Sequence, residues 1–597
     1  MVAVERLVFL LDYCRSPRYL RQVLAQAVAS GLRRDGHLSP KVVAAFFESG
    51  HPEDARRWFD GVVFPNTVLW NVMFKGYTLG GAHGNTLALF ARMRGRGVSP
   101  NRYTFTFVLK SCAKIPATRT GTAVHGVVVK AGFEENWFVG TLLIDVYSAV
   151  SEGGDIGSAR KVFDGMPFRN VVAWTAMVSA YVSACDVVSG RRLFDSVSHQ
   201  ADLVLWNTMV SGYIEAGNMD AARELFDKMP ERDIMAWNTI LHGYANGVDF
   251  EACLRFFNEM PQRNIFSWNG LFGGYVRHEL FTEALCAFNS MLKASDIKPN
   301  DATLVMVLSA CSKVGAIYLG RWIHIYAANN GFMENLYVVN GLIDMYAKCG
   351  SIRNAIELFN MTKTKDIITW NIIIGGLAMH GQGSEALNLF EEMKVKGVAP
   401  DGVTFVRILF ACSHMGLVQR GFAYFRSMIN YYSITPWIEH YGCVVDLLSR
   451  AGMLDEALNF IKKMPIEADC VIWSTLLGAC RIYGDIHLAE FAVKQLVRLQ
   501  PEDAANYVTL SNIYGATGSW KHFARAKQLM KEWNVEKSPG CSLIEINYVV
   551  TEFRSSDVRH PQTMEIYKVL DELTALTRSV SHYTGIEGLC STEDGNS

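Results

Sequence analysis

A tryptophan followed by a short polar residue returns along this chain at intervals of two sizes. Trp174-Thr175, Trp206-Asn207, Trp237-Asn238 and Trp268-Asn269 stand 32, 31 and 31 residues apart. Trp70 and Trp174, Trp268 and Trp370, then Trp370 and Trp473 stand 104, 102 and 103 apart, three units each, and Phe105, Gly140, Leu304, Val339, Phe405 and Tyr441 fill the skipped slots. A period in the low thirties held over hundreds of residues marks stacked helical hairpins, since a lone hairpin cannot bury its apolar face. The expected fold class is therefore all-α, a solenoid of helix-turn-helix units.

The stretch from Asp366 to Asp401, DIITWNIIIGGLAMHGQGSEALNLFEEMKVKGVAPD, shows how one unit is built. Trp370, Ile373, Ile374 and Leu377 follow helical spacing, and the turn Gly381-Gln382-Gly383 ends that helix. Ala386, Leu387, Leu389, Phe390 and Met393 form a second apolar set, closed by Gly397 and Pro400. The Phe and Met of this second helix recur as Phe163, Phe226 and Phe359, then Met166 and Met229. They read as core pins, and the Trp as a ring sealing one hairpin against the next. Packing does not explain why the residue after the Trp is nearly always Asn or Thr.

Such an array grows without one thick core, so 597 residues need not divide into several globular domains. Half of them are hydrophobic and the mean hydropathy is +0.11, as expected when each unit hides a face against two neighbours. No run of ~18 uncharged apolar residues suggests a membrane span. The 13 cysteines are odd in number and scattered through helical stretches such as LKSCA and LSACS, which suits a reducing interior better than a disulfide framework. A net charge of −1 gives no broad basic surface, so any nucleic acid would be met in local grooves.

Twelve units from Thr67 to Asp469 have lengths of 35, 35, 34, 32, 31, 31, 36, 35, 31, 35, 36 and 32. Residues 1–66 read as a short leader with degenerate repeats; its arginines allow a transit peptide, although no serine-rich leader precedes the repeat-like pattern. Residues 470–540 continue the pattern loosely, and the segments 541–580 and 581–597 follow as an extension and a tail.

Together these residues resemble the plant pentatricopeptide repeat (PPR) family of organelles, in its PLS class of alternating long and short repeats. The segment KSPGCSLIEINYVVTEFRSSDVRHPQTMEIYKVLDEL, Lys537 to Leu573, resembles the E/E+ extension of members implicated in cytidine-to-uridine editing. Tetratricopeptide arrays are the main confounder, but they keep a uniform 34-residue period without the recurrent Asn or Thr. The resemblance implies a right-handed superhelix and recognition of one base per hairpin by a few side chains. The implied RNA-base-reading pairs join the residue after the Trp slot to the last residue of its unit. They are Asn71/Asn101, Thr106/Asn136, Thr141/Asn170, Thr175/Asp202, Asn207/Asp233, Asn238/Asn264, Asn269/Asn300, Asn340/Asp366 and Asn371/Asp401. Thr106/Asn136, in a unit without Trp, is the weaker member. Loop Asn and Asp are also ordinary turn or helix-capping residues. Position and residue choice repeat together here while neighbouring loop residues drift, which favours reading.

In the family's code Thr with Asp favours G, Thr with Asn favours A, Asn with Asp favours U and Asn with Asn favours C. The implied RNA, 5′ to 3′, is C-(A)-A-G-U-C-C-x-U-U-x, with Val305 and Val406 unable to hydrogen-bond a base. The target cytidine would lie roughly four nucleotides beyond the base under the unit that begins at Ile438 and carries Gly442 in the reading slot.

Editing is a hydrolytic deamination, and zinc deaminases use H-x-E with P-C-x-x-C. No two cysteines here are spaced C-x-x-C, and His51-Pro52-Glu53 lacks any such partner downstream. Many relatives continue into a deaminase-like domain ending in Asp-Tyr-Trp (DYW), whereas this chain ends IEGLCSTEDGNS. His278-Glu279 lacks the second His of a zinc-protease helix, and neither a phosphate loop nor a G-x-S-x-G elbow occurs. The expectation is a non-enzymatic factor without metal or cofactor. Its expected partners are single-stranded organellar RNA, a trans-acting DYW-type deaminase recruited through the extension, and other editing factors. Capping of the last hairpin by the extension is compatible with that role. Splicing or transcript stability would use the same groove, and a protein-interaction scaffold is the third alternative. Family frequency favours the mitochondrion over the chloroplast.

Overall fold

The computed structural model describes residues 37–115, 118–149, 156–294, 297–500, 504–516, 541–546, 548–554 and 562–584, with a few isolated positions besides. The expected leader before residue 37 and the tail beyond residue 584 lie outside these. Contacts divide the chain into two compact units, residues 1–274 and 275–597.

In the first unit, helices Leu38–Glu48 and Pro52–Asp60 precede a run of hairpins. Thr67–Leu79 pairs with His83–Gly95, Arg102–Lys114 with Thr118–Lys130, and Trp137–Ala149 with Ile156–Gly165. Val171–Ser183 then pairs with Val187–Asp195, Leu203–Glu215 with Met219–Asp227, and Ile234–Asn246 with Phe250–Glu259. His51, from the H-x-E match, is the N-cap of Pro52–Asp60. Among the described residues, no cluster of His, Cys, Asp or Glu could hold a metal ion, and no helix is long and apolar enough to cross a membrane.

The second unit continues with Asp301–Val314 against Ile317–Asn329, Leu336–Lys348 against Ile352–Met361, and Ile367–Met379 against Gly383–Val395. Gly402–His414 pairs with Val418–Asn430, Ile438–Arg450 with Leu454–Lys462, and Cys470–Tyr483 with Ile486–Leu499. Apart from Ile438–Arg450, which follows Trp437, the first helices named here from Thr67 onward open on the residue after an Asn or Asp, because that residue caps them. Asp202, Asp233, Asp366, Asp401 and Asp469 each accept a hydrogen bond from the backbone N–H three residues on.

The recurring aromatics clamp consecutive hairpins. The Trp edge meets the Phe of the preceding second helix at 4.9 Å for Phe163–Trp174, 4.8 Å for Phe194–Trp206 and 4.9 Å for Phe226–Trp237. In the second unit Phe359–Trp370 repeats the geometry at 5.0 Å. Edge-to-face pairs of this kind add about 0.5–1.5 kcal/mol each beyond burial of their area. Beside them Arg169, Arg232 and Arg263 lie over Phe163, Phe226 and Phe257 and donate to the last carbonyls of those second helices. These arginines terminate the helix and cover its aromatic pin at once. Close approach also explains a recurrent glycine: a Cβ on Gly212 would stand 2.5 Å from Val182 of the previous hairpin.

Not every element is helical. Strands β1 (Cys541–Ile546) and β2 (Val549–Arg554) form an antiparallel hairpin in register Ile546↔Val549. Helix Ile317–Asn329 starts after Ala316, which has no capping side chain. Glu545 of β1 fills that place, accepting from Tyr318 N at 2.9 Å and Leu319 N at 2.8 Å, while Asn289 Nδ2 donates to Tyr548 O at 3.1 Å. A carboxylate at a helix N-terminus meets both the unsatisfied amides and the positive end of the dipole. Glu545→Ala is therefore expected to free the hairpin and speed limited proteolysis within residues 541–554 several-fold. Cleavage at the parental rate would show that the carboxylate does not hold it.

Candidate functional site

The polar residue after each Trp lies on the first helix, one turn inside its N-terminus, and the next helix begins beside it. Among the described residues, and within the compact units, the expected pair meets directly in four repeats. Asn71 Nδ2 donates to Asn101 Oδ1 at 3.0 Å and Asn238 Nδ2 to Asn264 Oδ1 at 3.2 Å. Asn340 Nδ2 donates to Asp366 Oδ1 at 3.3 Å and Asn371 Nδ2 to Asp401 Oδ1 at 3.1 Å. The pairing thus joins the first helix of one hairpin to the residue that caps the first helix of the next, at 3.0–3.3 Å.

Capping and pairing prove to be the same arrangement. In each of these pairs the cap residue spends Oδ1 on the backbone N–H of the following helix, at Thr104, Ser267, Thr369 or Thr404. These bonds, like those of the pair, use Oδ1 and not the other terminal atom, Oδ2 in Asp366 and Asp401 or Nδ2 in Asn101 and Asn264. Burial works against the Asp366 charge, but the Thr369 amide and hydroxyl and the Asn340 amide outweigh it and hold the carboxyl below its ordinary range. Its folded value lies below its unfolded one, so its contribution to stability is complete at neutral pH. That contribution is lost only as acid titrates the folded-state carboxyl.

The threonine slots behave differently. Thr106, Thr141 and Thr175 donate their hydroxyls to Arg102 O, Trp137 O and Val171 O of their own helices, each at 2.9 Å. Their companions Asn136, Asn170 and Asp202 cap the next helix, and no hydrogen bond among the described residues joins the two. A back-bonded threonine leaves only acceptor capacity outward. Asn207 is buried, its Oδ1 has no partner, and no hydrogen bond among the described residues joins it to Asp233. Asn269 and Asn300 fall in different compact units; in the second, Asn300 caps Asp301–Val314 through Thr303 N at 3.0 Å.

One class of site residue was missed in the sequence. Three residues before the slot, on the same helical face, stands an exposed apolar side chain: Val172, Val204, Met235, Phe266, Tyr337 and Ile368 are 48–71% exposed. The signal was present, since these helices open on two adjacent apolar residues (VV, LV, IM, IF, LY, II) and a single buried stripe takes only part of such a run.

A chain of helical hairpins that recurrently places a polar slot and an exposed apolar side chain at the junctions defines a modular helical-repeat protein. The chain belongs to the pentatricopeptide repeat family. Family models described as "PPR repeat family" match residues 65–114 and 365–414, and "PPR repeat" matches 172–198, 204–234, 235–265, 266–295, 337–367 and 439–467. A third, "E motif", matches residues 483–545, so the chain falls in the E subgroup. Pentatricopeptide repeat-containing protein At3g29230 of Arabidopsis thaliana is 42% identical over 94% of this chain and 94% of that protein. The chloroplastic At1g08070 protein is 37% identical over 95% and 82%, and the mitochondrial At2g22410 protein 34% over 96% and 89%, both also of Arabidopsis thaliana. Among solved structures, the pentatricopeptide repeat protein PPR10 in complex with an 18-nt psaJ RNA element matches with TM-score 0.51 and 18% identity, covering 90% of this chain and 87% of that one. That likeness supports the fold class, an all-α solenoid of repeat hairpins.

Proposed function

We propose that this protein binds single-stranded organellar RNA in a sequence-specific way, selects a cytidine for C-to-U editing and recruits a deaminase supplied in trans. The observation that carries the RNA reading is the set of hydrogen-bonded pairs, Asn71/Asn101, Asn238/Asn264, Asn340/Asp366 and Asn371/Asp401. Each leaves one outward atom on the cap residue. An Asp Oδ2 can only accept, which suits the N3–H of uracil; an Asn Nδ2 can donate, which suits the bare N3 of cytosine. The exposed apolar side chain one turn away offers a surface for the face of the same base. Relatives named chloroplastic and mitochondrial support an organellar setting, and the E motif at residues 483–545 supports editing over other RNA roles.

Asp366→Asn provides a sharp test. Asn caps a helix about as well as Asp, so the fold should stand. The preference at one nucleotide should turn from U towards C, by about 1–3 kcal/mol between the two RNAs. Gel shifts at fixed salt with RNAs differing only there would measure it, and an unchanged preference would refute the assignment of Asp366. For editing itself, organellar cDNA from plants lacking the protein should show one unedited cytidine downstream of C-(A)-A-G-U-C-C-x-U-U-x. Fully edited transcripts that are unspliced or missing would instead favour splicing or stability.

A further inference from the structure

We propose that the Ser or Thr at the third residue of the following hairpin is a specificity-determining positioning residue, and that Ala236 deprives the Asn207 unit of it. This inference rests on the RNA reading above and deepens it. An Asn side-chain amide has two ends of nearly equal size, and which end faces a base depends on what holds the other. In four units a hydroxyl holds it. Thr104 Oγ1 donates to Asn71 Oδ1 at 2.7 Å, Ser267 Oγ to Asn238 Oδ1 at 2.7 Å, Thr369 Oγ1 to Asn340 Oδ1 at 2.8 Å and Thr404 Oγ1 to Asn371 Oδ1 at 2.7 Å.

The direction of that hydrogen bond is settled by the helix cap. Thr104, Ser267 and Thr404 each accept, on the same oxygen, the backbone N–H of Asn101, Asn264 or Asp401. The one hydrogen left to each hydroxyl lies between two acceptors, the Asn Oδ1 and the cap residue's Oδ1, the latter 3.2 Å away for Thr104, 3.1 Å for Ser267, 2.7 Å for Thr369 and 2.8 Å for Thr404. Shared in this way it still draws the Asn oxygen to the hydroxyl, turns Nδ2 towards the cap residue and fixes the amide in one of its two orientations. The residue types follow the same logic along the chain. Asn71, Asn238, Asn269, Asn340 and Asn371 are followed at this place by Thr104, Ser267, Thr303, Thr369 and Thr404. Thr106, Thr141 and Thr175 have no amide to orient, and Val139, Ala173 and Leu205 follow them.

Asn207 breaks the rule. Alanine at 236 offers no hydroxyl, and Asn207, 9% exposed, is left with a buried Oδ1 that has no partner. Its amide lacks the lock that the other four share, so this unit is the poorest discriminator among the asparagine units.

The test uses the full chain and RNAs that differ only at the nucleotide facing the Asn207 unit. Ala236→Ser places a hydroxyl where Ser267 shows one can reach, and is expected to raise the ratio of affinities between preferred and disfavoured bases at that nucleotide about fivefold, the weight of one net hydrogen bond. Ratios at other nucleotides should not move. Thr404→Ala should lower the ratio about fivefold at its own nucleotide only, with Thr404→Ser restoring it. An unchanged ratio in Ala236→Ser, or a uniform loss of affinity at every nucleotide in Thr404→Ala that Thr404→Ser does not rescue, overturns the inference while leaving the RNA reading intact. Failure of the unmodified chain to prefer the implied RNA over a scrambled one overturns the RNA reading, and this inference with it.

Discussion

Asn371→Ala is expected to weaken binding of the implied RNA by about 1–3 kcal/mol, with the loss confined to one nucleotide. Asn371 is buried at the junction of two hairpins, bonded through Nδ2 to Asp401 and through Oδ1 to Thr404. Truncation removes both contacts and leaves the Asp401 cap in place, because Thr404 N still donates to Asp401 Oδ1 at 2.8 Å. The helix Gly402–His414 should therefore form as before. Gel shifts against RNAs varied one base at a time would show a single insensitive nucleotide in an otherwise selective string. Equal losses at every nucleotide would mean that Asn371 serves the fold, and a protein-interaction scaffold would then gain ground.

Its neighbour should behave in the opposite way. Trp370→Ala is expected to destabilise the array by about 3–5 kcal/mol, as for other buried aromatics cut to alanine. Trp370 is 2% exposed and meets Phe359 edge to face across the hairpin junction. Repeat arrays gain much of their stability from such junctions, so the loss should appear as early, local unfolding around residues 352–395 and not as a uniform shift. Hydrogen exchange resolved by peptide would locate it, and protection equal to the parent across those residues would show that Trp370 does not clamp the hairpins. RNA discrimination at low temperature, where the junction persists, should survive. Under the proposed RNA reading, adjacent residues on one helix divide into a packing role and a reading role.

Much of this division was legible in the chain. The Trp period places the hairpins, and helical spacing marks the Phe and Met of the second helices as pins. Phe163, Phe226 and Phe390 are buried, as are Met166, Met229 and Met393. Helix periodicity and capping act locally, so a single sequence displays them. Capping by Asn and Asp does not exclude the proposed base reading: an amide or carboxylate has two terminal atoms, and the cap at Asn101, Asn264, Asp366 and Asp401 uses Oδ1.

What stayed hidden depended on residues distant in sequence or on unusual turn chemistry. Thr404 reads as an ordinary capping-box residue until its hydroxyl is seen on Asn371, 33 positions earlier. The β1–β2 hairpin lacks the expected glycine: Tyr548 adopts a positive φ of 63°, where Gly or Asn is the usual signal. The union of Glu545 with Tyr318 spans 227 positions, which no local pattern announces.

That last contact is a clasp on the second half of the array. Glu545 accepts from Tyr318 N and Leu319 N, so one carboxylate closes a loop of 226 residues within the second unit. A contact that closes so long a loop is lost when the hairpins inside it open, and it therefore favours their staying shut without touching them.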